Sequence, residues 1–181
     1  TSATDLLVVS TCNRTEIYYQ NATSLSAEIL HGIKQIKHVE EDLAPYFKEI
    51  NTTIAAVRHL FNVSIGLDAQ VIGDLQISGQ VKNAYQWAAD EDTAGPFLHR
   101  LMHTIFFTNK RVVQETAFRD GAASISYAAK ELAEDLGASL KEPKVLLIGV
   151  GEIGRDVCLN LKDSSFNQVT LINRSPEKAE Q

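Results

Sequence analysis

The segment from Lys144 to Gly154 reads K-V-L-L-I-G-V-G-E-I-G, and a second apolar run follows at Val169 to Ile172. The continuous apolar run Lys144 to Ile148 predicts a strand. Three glycines at G-x-G-x-x-G spacing come directly after it and open a helical stretch. This order of strand, glycine turn, helix and strand predicts a β-α-β unit of a parallel sheet.

The glycine turn of this unit has the context of a dinucleotide-binding site. Gly149 would permit the tight turn, Gly151 would let the backbone approach a pyrophosphate, and Gly154 would pack helix against strand. No acidic residue ends the second strand, where Arg174 could pair with a 2′-phosphate, so NADPH is favoured over NADH. A solvated surface arginine is the alternative. The predicted cofactor-binding residues are Gly149, Val150, Gly151, Glu152, Ile153, Gly154, Asn173, Arg174 and Ser175.

The first part of the chain predicts a small α+β unit. Leu6–Val9 and Thr15–Tyr19 have strand patterns, and the polar run from Ser10 to Arg14 connects them. A helix with an amphipathic pattern is expected from Ser24 to about His38.

Further helices are expected in the middle of the chain, each with an apolar stripe toward the core. One stripe comprises Ile54, Val57, Phe61 and Ile65, and a later one comprises Ile125, Ala129, Leu132 and Leu136. A helix from about Leu75 places Gln76 and Gln80 together on a polar face, and a long helix starts at Pro96. We expect a catalytic domain at 1–118 with an antiparallel sheet and a helical bundle. A connecting helix and linker at 119–142 and the beginning of a Rossmann-like NADP-binding domain at 143–181 would follow.

Composition limits the classes of function. The 181 residues carry a formal net charge of −6 and are 44% hydrophobic, which is a globular composition. No apolar run approaches the roughly 20 residues of a membrane span. Two cysteines without Cys-x-x-Cys spacing favour free thiols, no metal site and a cytoplasmic location. Any nucleic acid would need a local basic patch, and the segment 95–119 offers Arg100, Lys110, Arg111 and Arg119. A solvated helix face explains this patch equally well.

Cys12 lies in the connection between the two predicted strands. Free cysteines are usually small buried hydrophobic residues. Here Thr11 and Asn13 add hydrogen-bonding groups, and the positive charge of Arg14 would favour the nucleophilic thiolate. A nucleophilic cysteine combined with a nicotinamide site suggests reduction of an activated carboxyl group through a thioester.

The chain resembles the glutamyl-tRNA reductase family over essentially its whole length. The matching motifs, in order, are Ser10 to Tyr18 (S-T-C-N-R-T-E-I-Y), Arg58 to Phe61, Gly66 to Asp68, Gly73 to Ile77, Gly79 to Lys82, and the C-terminal glycine turn with Asn173-Arg174-Ser175. The resemblance implies NADPH-dependent reduction of glutamyl-tRNA to glutamate-1-semialdehyde in porphyrin synthesis. It also leads us to expect a fragment that lacks a first strand, most of the NADP domain and the dimerisation domain.

The same resemblance implies the roles of individual residues. Cys12 would be the nucleophile and His59 a second residue important for catalysis. The residues implied to bind substrate are Thr11, Asn13, Arg14, Ala69, Asp74, Leu75, Gln76 and Gln80. Ala69 and Asp74 depart from the usual Ser and Glu, which predicts a roughly three- to tenfold loss of affinity. The implied partners are glutamyl-tRNA, a second copy of the chain, and glutamate-1-semialdehyde aminomutase as acceptor of the product.

Two other functions remain open from the sequence. The terminal β-α-β unit with Asn-Arg-Ser also resembles shikimate dehydrogenase, so another NADP-dependent dehydrogenase is one alternative. A non-catalytic protein that binds tRNA or nucleotide is the other. The dehydrogenase alternative leaves the motif around Cys12 unexplained. A non-catalytic binding protein would not need this motif.

Overall fold

The computed structural model describes residues 3–118 and 125–180, and only the backbone of Leu75, Lys178 and Glu180. Residues 119–124 lie outside the described residues. The predicted domain boundary at 118/119 lies at the edge of this segment, and Arg119 lies within it.

The chain begins with an antiparallel hairpin. Strands β1 (Asp5–Ser10) and β2 (Thr15–Gln20) pair in a register that places Ser10 opposite Thr15. Alternation along β1 buries Leu7 and Val9 completely. The hairpin turn is therefore fixed at residues 11–14, which carry the Cys12 motif.

Four helices follow the hairpin. They are α1 (Ser26–Lys37), α2 (Thr53–Ile65), α3 (Leu75–Asp90) and α4 (Pro96–Glu115), with a short 3-10 turn at Ala44–Tyr46. Helices α3 and α4 pack against β1, and α2 packs against both of them. The core joins β1 to α2, α3 and α4 and contains Leu60, Val63, Ile77, Val81, Met102 and Ile105. The predicted small antiparallel sheet with packed helices is confirmed.

Asp5 ties β1 to the start of α4. Its carboxylate is buried, and Oδ1 accepts a hydrogen bond from the backbone N–H of Leu98 at 3.0 Å. A side chain at Gly95 would meet the carbonyl oxygen of Thr4 at 2.5 Å and Asp5 Oδ1 at 2.8 Å. The contact therefore requires glycine before the helix and supplies a carboxylate to the positive helix terminus.

The second part is a β-α-β unit preceded by a helix. Helix α5 (Ile125–Gly137) packs against α6 (Glu152–Leu161), and α6 connects β3 (Lys144–Ile148) to β4 (Gln168–Ile172) in a parallel pair. A short helix, α7 (Glu177–Glu180), follows. The expected strand, helix and strand are confirmed.

Two predicted apolar stripes were right only in part, since Phe61 packs against the core but other members are exposed. Helix α2 buries Leu60, Val63 and Ser64, while Ile54 is 77% exposed. This helix is apolar on more than one face and packs against both α3 and α4, so periodicity alone chose the wrong face. In α5, Leu132 and Leu136 are exposed because the contact with α6 uses another face, which includes Ser126 bonded to Asn160.

Candidate active site and glycine-rich turn

The connection between β1 and β2 is a compact four-residue turn held by Thr11. The Thr11 hydroxyl oxygen accepts hydrogen bonds from the backbone N–H groups of Asn13 and Arg14, both at 3.2 Å. The backbone N–H of Thr11 donates to the carbonyl of Arg14 at 2.8 Å. Cys12 lies at the exposed tip of this turn as a free thiol. A rigid hairpin thus presents a potential nucleophile to solvent.

The turn faces a cleft formed with the loop after α2 and the start of α3. The described residues that line it are Thr11, Cys12, Asn13, Arg14, Ala69, Gln70, Val71, Asp74, Gln76, Ile77, Gln80 and Ile125. The structure therefore brings together Cys12 and the predicted substrate-binding residues whose side chains it describes. Leu75 begins α3, but its side chain lies outside the described atoms. Gln70, Val71 and Ile125 were not predicted from the sequence.

Asp74 forms the N-cap of α3. Its Oδ1 accepts a hydrogen bond from the backbone N–H of Gln76 at 2.9 Å. Aspartate is among the best N-cap residues, so the shorter side chain at this position suits the start of the helix. Gln76 and Gln80 follow one turn apart and both line the cleft, as the predicted polar face required.

A charged cluster lies beside the cleft and centres on Glu16. Its Oε1 lies 3.1 Å from Arg14 Nη1 and 3.0 Å from His59 Nε2, and its Oε2 accepts a hydrogen bond from the Tyr18 hydroxyl at 2.6 Å. The other ring nitrogen of His59, Nδ1, lies 3.2 Å from Asp68 Oδ2. The Arg14 Nη2 group also donates to the backbone carbonyl of Asp68. We call Arg14, Glu16, Tyr18, His59 and Asp68 the Glu16 cluster.

Burial of Tyr18, followed by its hydrogen bond to Glu16, raises the pKa of its hydroxyl far above the ordinary value. Tyr18 therefore stays a neutral donor to the Glu16 carboxylate, and its ring stacks with that of His59 at 6.5 Å between centroids. Glu16, Tyr18 and Asp68 were not predicted as site residues. The spacing of positions 16 and 18 along β2, directly after Arg14, could have indicated the first two.

His59 is part of this cluster and is not among the residues that line the cleft. Its side chain is 31% exposed, which fits neither a core residue nor a freely solvated one. Both ring nitrogens face carboxylate oxygens of the chain itself.

The glycine-rich turn follows β3 with the geometry expected from its spacing. Gly149 has φ of 95°, a left-handed conformation that favours glycine. A Cβ on Gly154 would overlap the carbonyl oxygen of Gly149 and lie 3.1 Å from its carbonyl carbon. A Cβ on Gly151, at the start of α6, would instead meet open space. A ligand can therefore approach the backbone at Gly151 without obstruction.

Asn173 joins this turn to the end of β4. Its Oδ1 accepts a hydrogen bond from the backbone N–H of Val150 at 3.1 Å, and its Nδ2 donates to the carbonyl of Ser175 at 2.9 Å. The Arg174 side chain is exposed, and no hydrogen bond or ion pair to another described residue engages it. Asn173 thus shapes the two loops, while Arg174 has its guanidinium available for an anion. Open backbone at Gly151 beside this arginine fits a phosphorylated dinucleotide.

Two basic side chains of helix α4 are engaged within the chain. Arg111 forms a bidentate ion pair with Glu115, and His99 Nδ1 lies 2.7 Å from the Tyr85 hydroxyl. Arg100 lines an open apolar groove between α2 and α4, together with Arg58, and no acidic residue lines it. The other described lining residues are Thr53, Ile54, Val57, Phe97, Leu101 and Thr104.

In the described part of the chain, none of the helices is long and apolar enough to cross a membrane. Across residues 3–118 and 125–180, His, Cys, Asp and Glu side chains form no group of three able to hold a metal ion.

Comparison with known proteins gives matches in both parts of the chain. Residues 1–116 match the family described as glutamyl-tRNAGlu reductase, N-terminal domain, and residues 131–181 match shikimate/quinate 5-dehydrogenase. Curated glutamyl-tRNA reductases from Cytophaga hutchinsonii and Chlorobium limicola are 56% and 39% identical to it and match 99% and 98% of the chain. The chain spans 43% of the length of each of these relatives.

A solved structure gives the same result. Glutamyl-tRNA reductase from Methanopyrus kandleri superposes with a TM-score of 0.58 at 32% sequence identity, over 98% of this chain and 42% of that protein. The first family alone matches more than half of the chain, in the part that contains the hairpin, the cleft and the Glu16 cluster. This chain therefore belongs to the glutamyl-tRNA reductase family.

Proposed function

We propose that the protein reduces glutamyl-tRNA to glutamate-1-semialdehyde with NADPH and releases tRNA, a step of porphyrin biosynthesis. The observation that carries this proposal is the cleft in which Cys12 meets Arg14 and the polar start of α3. Membership of the family and the names of its relatives support the same activity.

The proposed chemistry begins with Cys12. Its thiolate attacks the carbonyl carbon of the glutamyl ester, the bond from that carbon to the ribose oxygen breaks, and tRNA leaves as the alcohol after taking up a proton. The enzyme then carries glutamate as a thioester on Cys12. NADPH, when bound, supplies the hydride that replaces sulfur at this carbon and gives the aldehyde. The cysteine is regenerated as the thiolate.

The substrate would be held by the rest of the cleft. Arg14 is the cation of this lining and can bind the side-chain carboxylate of glutamate. Gln76 and Gln80 offer amide groups from one face of α3. Asp74 uses Oδ1 for the helix cap, which leaves Oδ2 for the substrate ammonium group. Thr11 would act mainly by shaping the turn around Cys12, because its hydroxyl already accepts from two backbone groups.

Charge and exposure at the glycine-rich turn support NADPH as cofactor. Gly149, Gly151 and Gly154 would bring the backbone to the pyrophosphate, and Arg174 would pair with the 2′-phosphate. Arg100 beside Phe97 and Arg58 supports a tRNA contact in the groove between α2 and α4. The family further suggests a homodimer, a cytoplasmic location, and delivery of the aldehyde to glutamate-1-semialdehyde aminomutase.

Another NADP-dependent dehydrogenase is the second candidate, because residues 131–181 match shikimate/quinate 5-dehydrogenase. One assay separates the two. The complete gene product and its Cys12→Ser variant are incubated with glutamyl-tRNA, first without and then with NADPH. We expect Cys12-dependent release of tRNA without NADPH and aldehyde only with it. Equal aldehyde formation by the serine variant would exclude the thioester route, and oxidation of shikimate would favour the second candidate.

Cys158→Ser is the matched control, since it removes the other cysteine of residues 1–181. This half-buried cysteine lies in α6 and does not line the cleft. We expect both half-reactions to persist in this variant.

A further inference from the structure

His59 lies between two carboxylates and joins two elements of the fold. Nε2 is 3.0 Å from Glu16 Oε1, and Nδ1 is 3.2 Å from Asp68 Oδ2. An ionised carboxylate accepts a hydrogen bond from an imidazole N–H. The ring therefore connects strand β2 to the loop after α2.

Three side chains contact the Glu16 carboxylate. They are Arg14, His59 and the neutral Tyr18 hydroxyl. The Glu16 side chain is only 16% exposed, so an unbalanced anion there would be poorly solvated. With both nitrogens occupied, His59 has no ring nitrogen left to exchange a proton with a substrate in the cleft.

Arg14 is the member of the cluster that reaches the cleft. Nη1 is held by the Glu16 carboxylate and Nη2 by the backbone carbonyl of Asp68. A guanidinium has five N–H donors, and these two contacts leave three for a ligand. Asp68 thus contacts the cluster at two points. Its backbone carbonyl accepts a hydrogen bond from Arg14, and its carboxylate contacts His59. His59 in turn contacts Glu16.

We propose that Asp68 and His59 are positioning residues that fix the Arg14 guanidinium for a carboxylate-bearing substrate. This proposal rests on the proposed function for the identity of that substrate. It assigns His59 no proton transfer to the leaving tRNA. Loss of either side chain should therefore raise KM for glutamyl-tRNA by roughly ten- to a hundredfold, as for a lost hydrogen bond between charged groups, and change kcat less.

Alkylation of Cys12 tests the proposal without any reductase activity. In a Cys158→Ser background, the rates of reaction with iodoacetate and with iodoacetamide are measured by mass spectrometry. A fixed Arg14 attracts the carboxylate of iodoacetate, so the rate ratio of the two reagents reports its position. We expect Asp68→Ala and His59→Gln to lower this ratio roughly two- to fivefold, toward the value of an Arg14→Ala reference.

The direction in which the rate ratio changes distinguishes positioning of Arg14 from a simple change of charge near Cys12. Asp68→Ala removes a negative charge near Cys12, which by itself would raise the ratio for an anionic reagent. A raised or unchanged ratio would overturn the proposal. Asp68→Asn is the second variant, should alanine prevent folding, and the same fall is expected because the amide carries no charge to pair with His59.

Asp92→Asn is the matched control. Asp92 is exposed, lies outside the cluster and has φ of 52°, a conformation that asparagine tolerates. The rate ratio of iodoacetate to iodoacetamide in this variant should equal that of the parent. If the proposed function fails, the parent and all variants form no aldehyde, but Asp68→Ala and His59→Gln still lower the rate ratio. If the positioning proposal fails, the parent forms aldehyde, but these two variants have the same rate ratio as the parent.

Discussion

Alanine at Gly154 and alanine at Gly151 should have opposite consequences, although both add one methyl group to the same turn. At Gly154 the methyl would overlap the carbonyl oxygen of Gly149, which is backbone and cannot rotate away. Helix α6 would have to move away from the end of β3. Overpacking of this kind typically costs about 1–3 kcal/mol. In a domain of about 150–250 residues, each kcal/mol lost lowers the melting temperature by roughly 2–4 °C.

At Gly151 the added methyl meets open space, and φ of −78° suits alanine. Two small effects on stability oppose each other there. Alanine is a poorer N-cap than glycine, while the loss of unfolded-state freedom stabilises by about 0.4–1 kcal/mol. We therefore expect an almost unchanged melting temperature. NADPH should bind at least tenfold more weakly, because the methyl occupies the space proposed for the pyrophosphate, a loss of about 1.4 kcal/mol or more.

Thermal unfolding and fluorescence titration with NADPH measure both quantities on the complete gene product. Gly32→Ala in α1 is the control, since its methyl also meets open space but lies in the interior of a helix. It should stabilise by about 0.5–1 kcal/mol and leave NADPH affinity unchanged. Tight NADPH binding by a stable Gly151→Ala variant would refute the assignment of this turn to the cofactor.

Three further predictions concern the first part of the chain. Asp5→Ala leaves the buried N–H of Leu98 without its acceptor and should lower the free energy of unfolding by about 1–3 kcal/mol in urea, whereas Asp5→Asn should lose less. Thr11→Val removes the acceptor of two backbone N–H groups, so the rate of tRNA release should fall while circular dichroism stays unchanged; an unaltered rate would contradict the proposed role of the turn. Arg100→Glu combined with Lys110→Glu should weaken tRNA binding and reduce its salt dependence by about one unit of slope per lost phosphate contact, whereas Lys37→Glu on α1 should leave both unchanged.

Local patterns predicted the elements that bear the site. The apolar run and glycines at 144–154 predicted β3, the turn and α6, because strand length, glycine spacing and helix start are set within about ten residues. The hairpin was predicted for the same reason, and its register then fixed Cys12 at the tip. The shared face of Gln76 and Gln80 also followed from helical spacing alone.

Contacts between distant residues were beyond such patterns. The pair of His59 with Glu16 joins positions 43 apart, and that of Arg14 with the Asp68 carbonyl joins positions 54 apart. Periodicity likewise shows that α2 and α5 carry apolar residues but not which face a neighbour covers, as exposed Ile54 and Leu136 demonstrate. The resemblance named His59 as important for catalysis, and only the fold shows the two carboxylates that contact its ring.

The proposed thioester on Cys12 can be measured directly. The complete gene product is mixed with glutamyl-tRNA that carries labelled glutamate, without NADPH, quenched in acid and digested for mass spectrometry. We expect labelled glutamate on the peptide that contains Cys12, its release by hydroxylamine, and its absence in Cys12→Ser. Aldehyde formation with NADPH by an enzyme that never carries glutamate on Cys12 would exclude the proposed thioester.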